Sequence, residues 1–239
     1  MRTESYDFKR KRISEGDQGK TVVNLITLAI DENTDVRAAV AHVLGCLGEQ
    51  SADYANVLAE LIFDEHDDVA KNALWAAGEV KSHDADIVHA IIGRHRDKNR
   101  DIRFRVAWTL AQLAVHNTDV HSAINNLVRD QDSTVRMYAV DACSNCGHPR
   151  LQKLIKRALS DRTVEVRGAA CRVMRSTDLP SGRYQRRLLS LAKHDLHGVR
   201  LDAVHALITR WPDLINNPEI RSWMLANTGY WWVADALKR

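Results

Sequence analysis

The chain has 239 residues, a formal net charge of +3 and 45% hydrophobic residues, enough to bury a large core. Four cysteines are too few for a disulfide scaffold, and no run of about 18 apolar residues offers a membrane span. The basic Lys9–Arg12 run is not followed by the apolar stretch of a secretory signal, so a cytoplasmic, monomeric protein without membrane association is expected.

Residues 1–17 read as a polar lead-in, with Tyr6 and Phe8 as anchors onto the first repeat of a longer array. From residue 18 to 239 one unit recurs. Aligned on a β-branched residue, its copies fall at Val36, Val69, Ile102, Val135, Val166 and Val199, separated by 33, 33, 33, 31 and 33 residues. A period of this size predicts an all-α solenoid, a single domain in which each unit buries its apolar side on the next. An acidic residue opens each copy (Asp31, Asp64, Asp97, Asp130, Asp161, Asp195), and arginine comes directly after the branched residue in all but the second, which has Ala70 and Lys71.

Each repeat reads as two helices. The first of each pair is expected over 21–30, 52–63, 84–94, 120–129, 149–159, 182–193 and 218–226, where apolar residues recur at helical spacing. The second starts at the branched residue, with Asp35, Asp68, Asp101 and Thr134 in front of it as N-caps. Counting from that residue, apolar side chains fill offsets four, five and eight (Val106, Ala107 and Leu110 in the third repeat), and these are the expected core. A partial seventh copy over 232–237 closes the array, with Trp223, Tyr230, Trp231 and Trp232 to cover its apolar end.

Charge is unevenly spread: residues 13–99 carry 16 acidic and 7 basic side chains, residues 148–200 carry 13 basic and 4 acidic. This bears on the steering of partners and not on the fold.

The recurring pattern Asp-x-x-x-(Asp/Thr)-Val-Arg-x-x-Ala-x-x-x-Leu over residues 18–239 resembles the HEAT repeat family, in particular its short bacterial form, the phycobilisome-lyase-like HEAT repeats. The resemblance implies a right-handed α-solenoid of about six to seven repeats, with the second helices lining a concave face. It also implies a structural ladder in which Asp97, Asp130 and Asp161 meet Arg103, Arg136 and Arg167 between adjacent repeats, a rung being in doubt at the second. That family includes scaffolds, bilin lyases, a DNA glycosylase branch and immunity proteins of Rhs-type toxin systems. The opening Ser5–Ser14 is faintly similar to the start of some of the immunity-associated proteins.

With the core at offsets zero, four, five and eight, offsets three, six and ten share the opposite stripe of the second helix. There stand Asn72, Trp75, Glu79, Arg105, Trp108, Gln112, Tyr138, Asp141, Arg172 and His205, among them the aromatic and arginine side chains that supply binding hot spots. The competing expectation for Trp75 and Trp108 is packing between repeats. Cys143 and Cys146 form a CxxC but occupy offsets eight and eleven, where leucines stand in other repeats, so they read as core and no metal is expected.

No nucleophile elbow, P-loop, dinucleotide fingerprint or zinc-protease motif is present, and no cofactor is expected. These features predict a non-catalytic scaffold that binds another protein on its concave face, an immunity-type inhibitor of a toxin domain or an assembly factor. Nucleic-acid binding, glycosylase-like in residue types at Trp108, Asp141 and Arg172, ranks second. A bilin lyase, suggested by the family name, ranks third.

Overall fold

The computed structural model describes residues 24–48, 54–177 and 182–238; the lead-in with Tyr6 and Phe8 lies outside them. In chain order the helices are α1 (24–29), α2 (Thr34–Leu47), α3 (Ala55–Ile62), α4 (Asp67–Val80) and α5 (Ala85–Gly93). They continue with α6 (Arg100–Leu113), α7 (Thr118–Leu127), α8 (Ser133–Asn145), α9 (Leu151–Ala158) and α10 (Val164–Ser176). The chain ends with α11 (Gly182–His194), α12 (His197–Arg210), a 3₁₀ turn over Pro212–Asn216, α13 (Pro218–Leu225) and α14 (Trp231–Ala236). Odd-numbered helices are the first of each repeat and even-numbered ones the second.

The second helices begin two residues earlier than expected, and their caps stand two residues upstream of the expected ones. Asn33, Asn99 and Asp132 are the N-caps, accepting from the backbone N–H of Asp35 at 2.8 Å, of Asp101 at 2.8 Å and of Thr134 at 2.9 Å. A capping oxygen reaches the N–H of the second or third helical residue, so the cap must stand that far upstream. Asp35, Asp68 and Asp101 therefore lie inside the first turn, where their charge favours the positive end of the helix.

The core is built as the spacing requires. Offset zero from Val69 onward, and offsets four, five and eight throughout, are buried: Ile102, Val106, Ala107 and Leu110 in the third repeat, Val166, Ala170, Cys171 and Met174 in the fifth. Even-numbered helices pack on one another more extensively than odd-numbered ones do, which sets them on the inner side of the array's curve. Small side chains permit that approach: Ala76, Ala142 and Ala206 at offset seven are fully buried, and the buried Thr109 donates to the Leu74 carbonyl at 2.8 Å.

Adjacent repeats are also joined at the helix-helix turns. Arg103 grips the Asp130 carboxylate through Nε at 2.7 Å and Nη2 at 3.0 Å, while its Nη1 donates to the Asp97 carbonyl at 2.8 Å. The same fork recurs from Arg37 to Asp64, Arg136 to Asp161 and Arg167 to Asp195. Each of these aspartates also accepts a backbone N–H from its own turn, as Asp130 does from Asp132 at 2.9 Å. At the second repeat, where Ala70 replaces arginine, Arg94 from the end of α5 takes over the role. Its Nε meets Asp97 at 2.8 Å and its Nη1 donates to the Ile62 carbonyl at 2.7 Å.

At the far end Trp232 is buried and stacks flat on His205, with ring centroids 4.1 Å apart, while Trp223 and Tyr230 are half-buried. Trp231 is not part of that cover: at 79% exposure it points to solvent. Trp232 and Val233 are both buried, so the inward side of α14 is centred between them, and Trp231, about 100° further round from Trp232, faces outward.

Candidate functional site

The inner face of the even-numbered helices carries a continuous row of contacts at offsets three, six, nine and ten. Trp75 is half-buried, stacked on His42 of the preceding repeat at 5.0 Å and 20°. Beneath it lies Gly45, and beneath the equally half-buried Trp108 lies Gly78. Both tryptophans thus pack against the previous repeat with part of the ring and leave the rest accessible, a combination of the two sequence expectations.

Farther along, Arg105 lies 5.8 Å above the Trp108 ring and 5.4 Å above that of Phe104, within the range of cation–π attraction. Phe104 meets Tyr138 edge-on at 5.1 Å. Glu79 and Gln112 are exposed, with no hydrogen bond or ion pair to any described residue. Asn72 is half-buried and reaches the Ala38 carbonyl at 3.5 Å; Asn145, at offset ten of a later repeat, donates to the Ala111 carbonyl at 2.8 Å.

Between α6, α8 and α10 this row opens into a cleft of about 320 Å³, walled by Trp108, Gln112, Tyr138, Asp141, Arg172 and Arg175. Arg172 donates to Asp202 at 3.1 Å, and Arg175 is 2.9 Å from His205 Nδ1. Burial raises the Asp202 carboxyl above its ordinary range against the opposing pull of Arg172 and Arg175. Burial, reinforced by the Arg175 cation, pushes His205 down to about 4, so its ring is neutral and accepts from Arg175. His205 is consequently fixed between Arg175 and Trp232.

Asp141 is half-buried and makes no hydrogen bond or ion pair with any described residue. Burial drives its carboxyl upward, with Arg172 acting in the other direction. The structure thus gathers Trp108, Gln112, Tyr138, Asp141 and Arg172 in one cleft, while Asn72, Trp75, Glu79 and Arg105 extend the face toward the first repeats and His205 stands at its far edge. Arg175, at offset nine, was missed by sequence reasoning that kept to offsets three, six and ten. Offset nine is one helical turn from six, and its neighbours in the array are mostly small, which hid it.

Cys143 and Cys146 are buried, and Cys146 Sγ lies 3.7 Å from the Cys143 carbonyl. His148 is buried and tied to the His121 carbonyl at 3.1 Å. Among the described residues no group of three or more His, Cys, Asp or Glu side chains is placed to hold a metal ion. Among them, too, no helix is long and apolar enough to cross a membrane.

Residues 87–175, from α5 into α10, match the family described as HEAT repeats. A comparison with curated proteins gives no significant match. Among solved structures, YibA of E. coli is 18% identical, with 86% of this chain and 78% of that one covered at a TM-score of 0.62. The archaeal HEAT-like repeats protein from Thermococcus onnurineus NA1 is 16% identical, covering 81% and 88% at 0.59. A designed armadillo repeat protein in complex with the peptide (KR)4 is 17% identical, covering 78% and 98% at 0.58. The fold is an all-helical repeat solenoid of the HEAT and armadillo kind.

Proposed function

We propose that this chain is a non-catalytic scaffold that binds another protein along its inner face, acting as an inhibitor such as an immunity protein against a toxin domain, or as an assembly factor. The observation that carries this reading is the row of half-accessible Trp75, Trp108, Arg105 and Tyr138 on rigid, mutually packed helices. Aromatic and arginine side chains held in place by packing lose little entropy on binding, which suits them as anchors. The structural likeness to a designed armadillo protein that holds a peptide supports the reading. Affinity purification from the native host supplies the partner for titration. The double substitution Trp75→Ala and Trp108→Ala should then weaken binding by at least about tenfold, ~1.4 kcal/mol. Unchanged affinity would remove the inner face from the account.

A second reading, nucleic-acid binding, rests on Arg150, Lys153, Lys156 and Arg157, all exposed along α9 and without acidic partners among the described residues. They lie on the outer layer, away from the cleft. Phosphate neutralisation there would show affinity for RNA or DNA falling steeply with salt, and indifference to both at micromolar concentration would end that reading.

A further inference from the structure

The ladder between repeats is incomplete at its first step. Asp64, Asp97, Asp130, Asp161 and Asp195 each receive an arginine that stands ahead of them in the chain. Asp31 holds the same place in the first repeat and accepts the Asn33 N–H of its own turn at 2.8 Å, yet it meets no arginine among the described residues. Glu32 and Asp35 beside it are exposed and form no ion pair with any described residue.

An apolar face is uncovered at the same end. Val43 is 42% exposed, whereas Ala76, Thr109, Ala142 and Ala206 at the same offset seven are at 0%. Offset seven is where a repeat meets the one before it: Thr109 donates to the Leu74 carbonyl, and the Ala76 backbone lies under Gly45. Leu28 is 41% exposed, and Leu61, 33 residues on, is at 3%. Val36 is half-buried where Val69, Ile102 and Val135 are sealed. The first repeat thus presents the surface that every later one covers, and an occupant needs large apolar side chains together with an arginine for Asp31. Residues 1–23 supply both, with Tyr6, Phe8 and Ile13 around the Lys9–Arg12 run. Arg12 stands 12 residues before Asn24, about 40 Å of extended chain, while α1 carries the chain only about 9 Å from there toward the Asp31 turn. Covalent attachment gives the segment an effective concentration of about millimolar. A second copy docking by its far end would not complete the ladder, because the position after Trp232 in the repeat register is the buried Val233 and not arginine.

We propose that residues 1–23 close over the first repeat as its cap, an arginine of the 9–12 run forking Asp31 while Tyr6 and Phe8 cover Val43 and Leu28. The segment then shields an apolar end that would otherwise associate with other surfaces. This interface is separate from the inner face and stands or falls without it.

Amide hydrogen exchange of the full chain tests it at residues 24–47. Arg10→Gln/Arg12→Gln and Asp31→Asn should each speed exchange there by about tenfold and leave α6 to α12 unchanged. All three substitutions together should do no more than either set alone, since both remove one contact. Val43→Glu, at a position already exposed among the described residues, should speed the same amides by putting a charge under the cap. Unchanged exchange in the arginine variant, additive effects of the two sets, or indifference to Val43→Glu would overturn the proposal. So would sedimentation showing a concentration-dependent dimer of the parent that Val43→Glu dissolves, which would make a second copy the occupant.

Discussion

A Cβ added to Gly78 would stand 2.7 Å from Cζ3 of Trp108 and 3.2 Å from its Cη2. The indole of one repeat is seated on the glycine of the repeat before it. Gly78 is in the interior of α4, where glycine costs about 1 kcal/mol relative to alanine, so its presence reflects the ring above it. Gly78→Ala should therefore destabilise the protein by about 1 kcal/mol, the overpacking outweighing the gain in helix propensity. In a Trp108→Ala background the same substitution should stabilise by up to about 1 kcal/mol, because the three nearest atoms to that Cβ all belong to Trp108. Urea denaturation of the four proteins measures the cycle, and a sign that does not reverse would refute the seating argument.

Arg94 and Arg136 perform the same task from different places in the repeat. Arg136 forks Asp161 with both nitrogens at 2.9 Å, its side chain 6% and that of Asp161 12% exposed. Removing one member of so enclosed a pair strands the other, and Arg136→Ala should cost about 3 kcal/mol. Arg94, which meets Asp97 in place of the arginine missing from the second repeat, should cost about 2 kcal/mol when replaced by alanine. An Arg94→Ala variant as stable as the parent would show the substitute rung to be idle.

These two rungs mark what was legible in the sequence. The period of 33 and the buried offsets determine the helices, the core and the inner face, because a helix position repeated in every unit meets the same neighbours each time. The Arg94 rung was not legible, since it arises from a different helix and shares no register with the arginines it replaces. The cleft was half legible. Offsets nine and six covary along the array: Gly45 and Gly78 stand below Trp75 and Trp108, whereas Ser144 and Arg175 precede Arg172 and His205. That pairing joins residues of adjacent repeats, and a reading made one repeat at a time passes over it. That Asp141 makes no hydrogen bond or close ion pair with any described residue depends on side-chain placement that no spacing encodes.

The ladder should also govern behaviour in acid. For Asp64 and Asp161, burial alone would raise the carboxyl, but hydrogen bonds from Arg37 and Arg136 and from backbone N–H groups hold it below the ordinary range. For Asp195 the Arg167 hydrogen bond is the leading influence in the same direction. A carboxylate with a depressed folded pKa contributes stability that is complete above its unfolded value, about 4, and disappears as pH falls through the folded one. Stability should thus drop steeply below about pH 4, and Arg136→Ala should make that drop shallower. Parallel slopes in parent and variant would contradict this linkage.

His205 produces a separate limb at higher pH. Its folded value of about 4 lies below the ordinary value near 6.5, so between the two the unfolded chain takes up a proton that the folded chain does not. Stability should fall as pH is lowered across that window. His205→Gln should flatten this limb, at some loss of the stacking on Trp232. NMR titration of the His205 ring gives an independent check: a midpoint near 6.5 would exclude the buried, neutral state.

The four thiols should divide by depth. Cys46 is exposed on α2, with its sulfur 3.5 Å from His42 Nε2, while Cys143, Cys146 and Cys171 are buried. Burial pushes the Cys146 thiol up to about 11, and Cys143 and Cys171 are raised further in the same direction. Only the thiolate reacts readily, and these three are both protonated at neutral pH and screened from reagent. Under native conditions a disulfide reagent such as Ellman's should therefore label one thiol quickly, and Cys46→Ser should abolish that fast phase. All four should react in denaturant. Rapid native labelling of Cys143 or Cys146, or labelling suppressed by zinc and restored by a chelator, would mean that the CxxC is accessible chemistry instead of core.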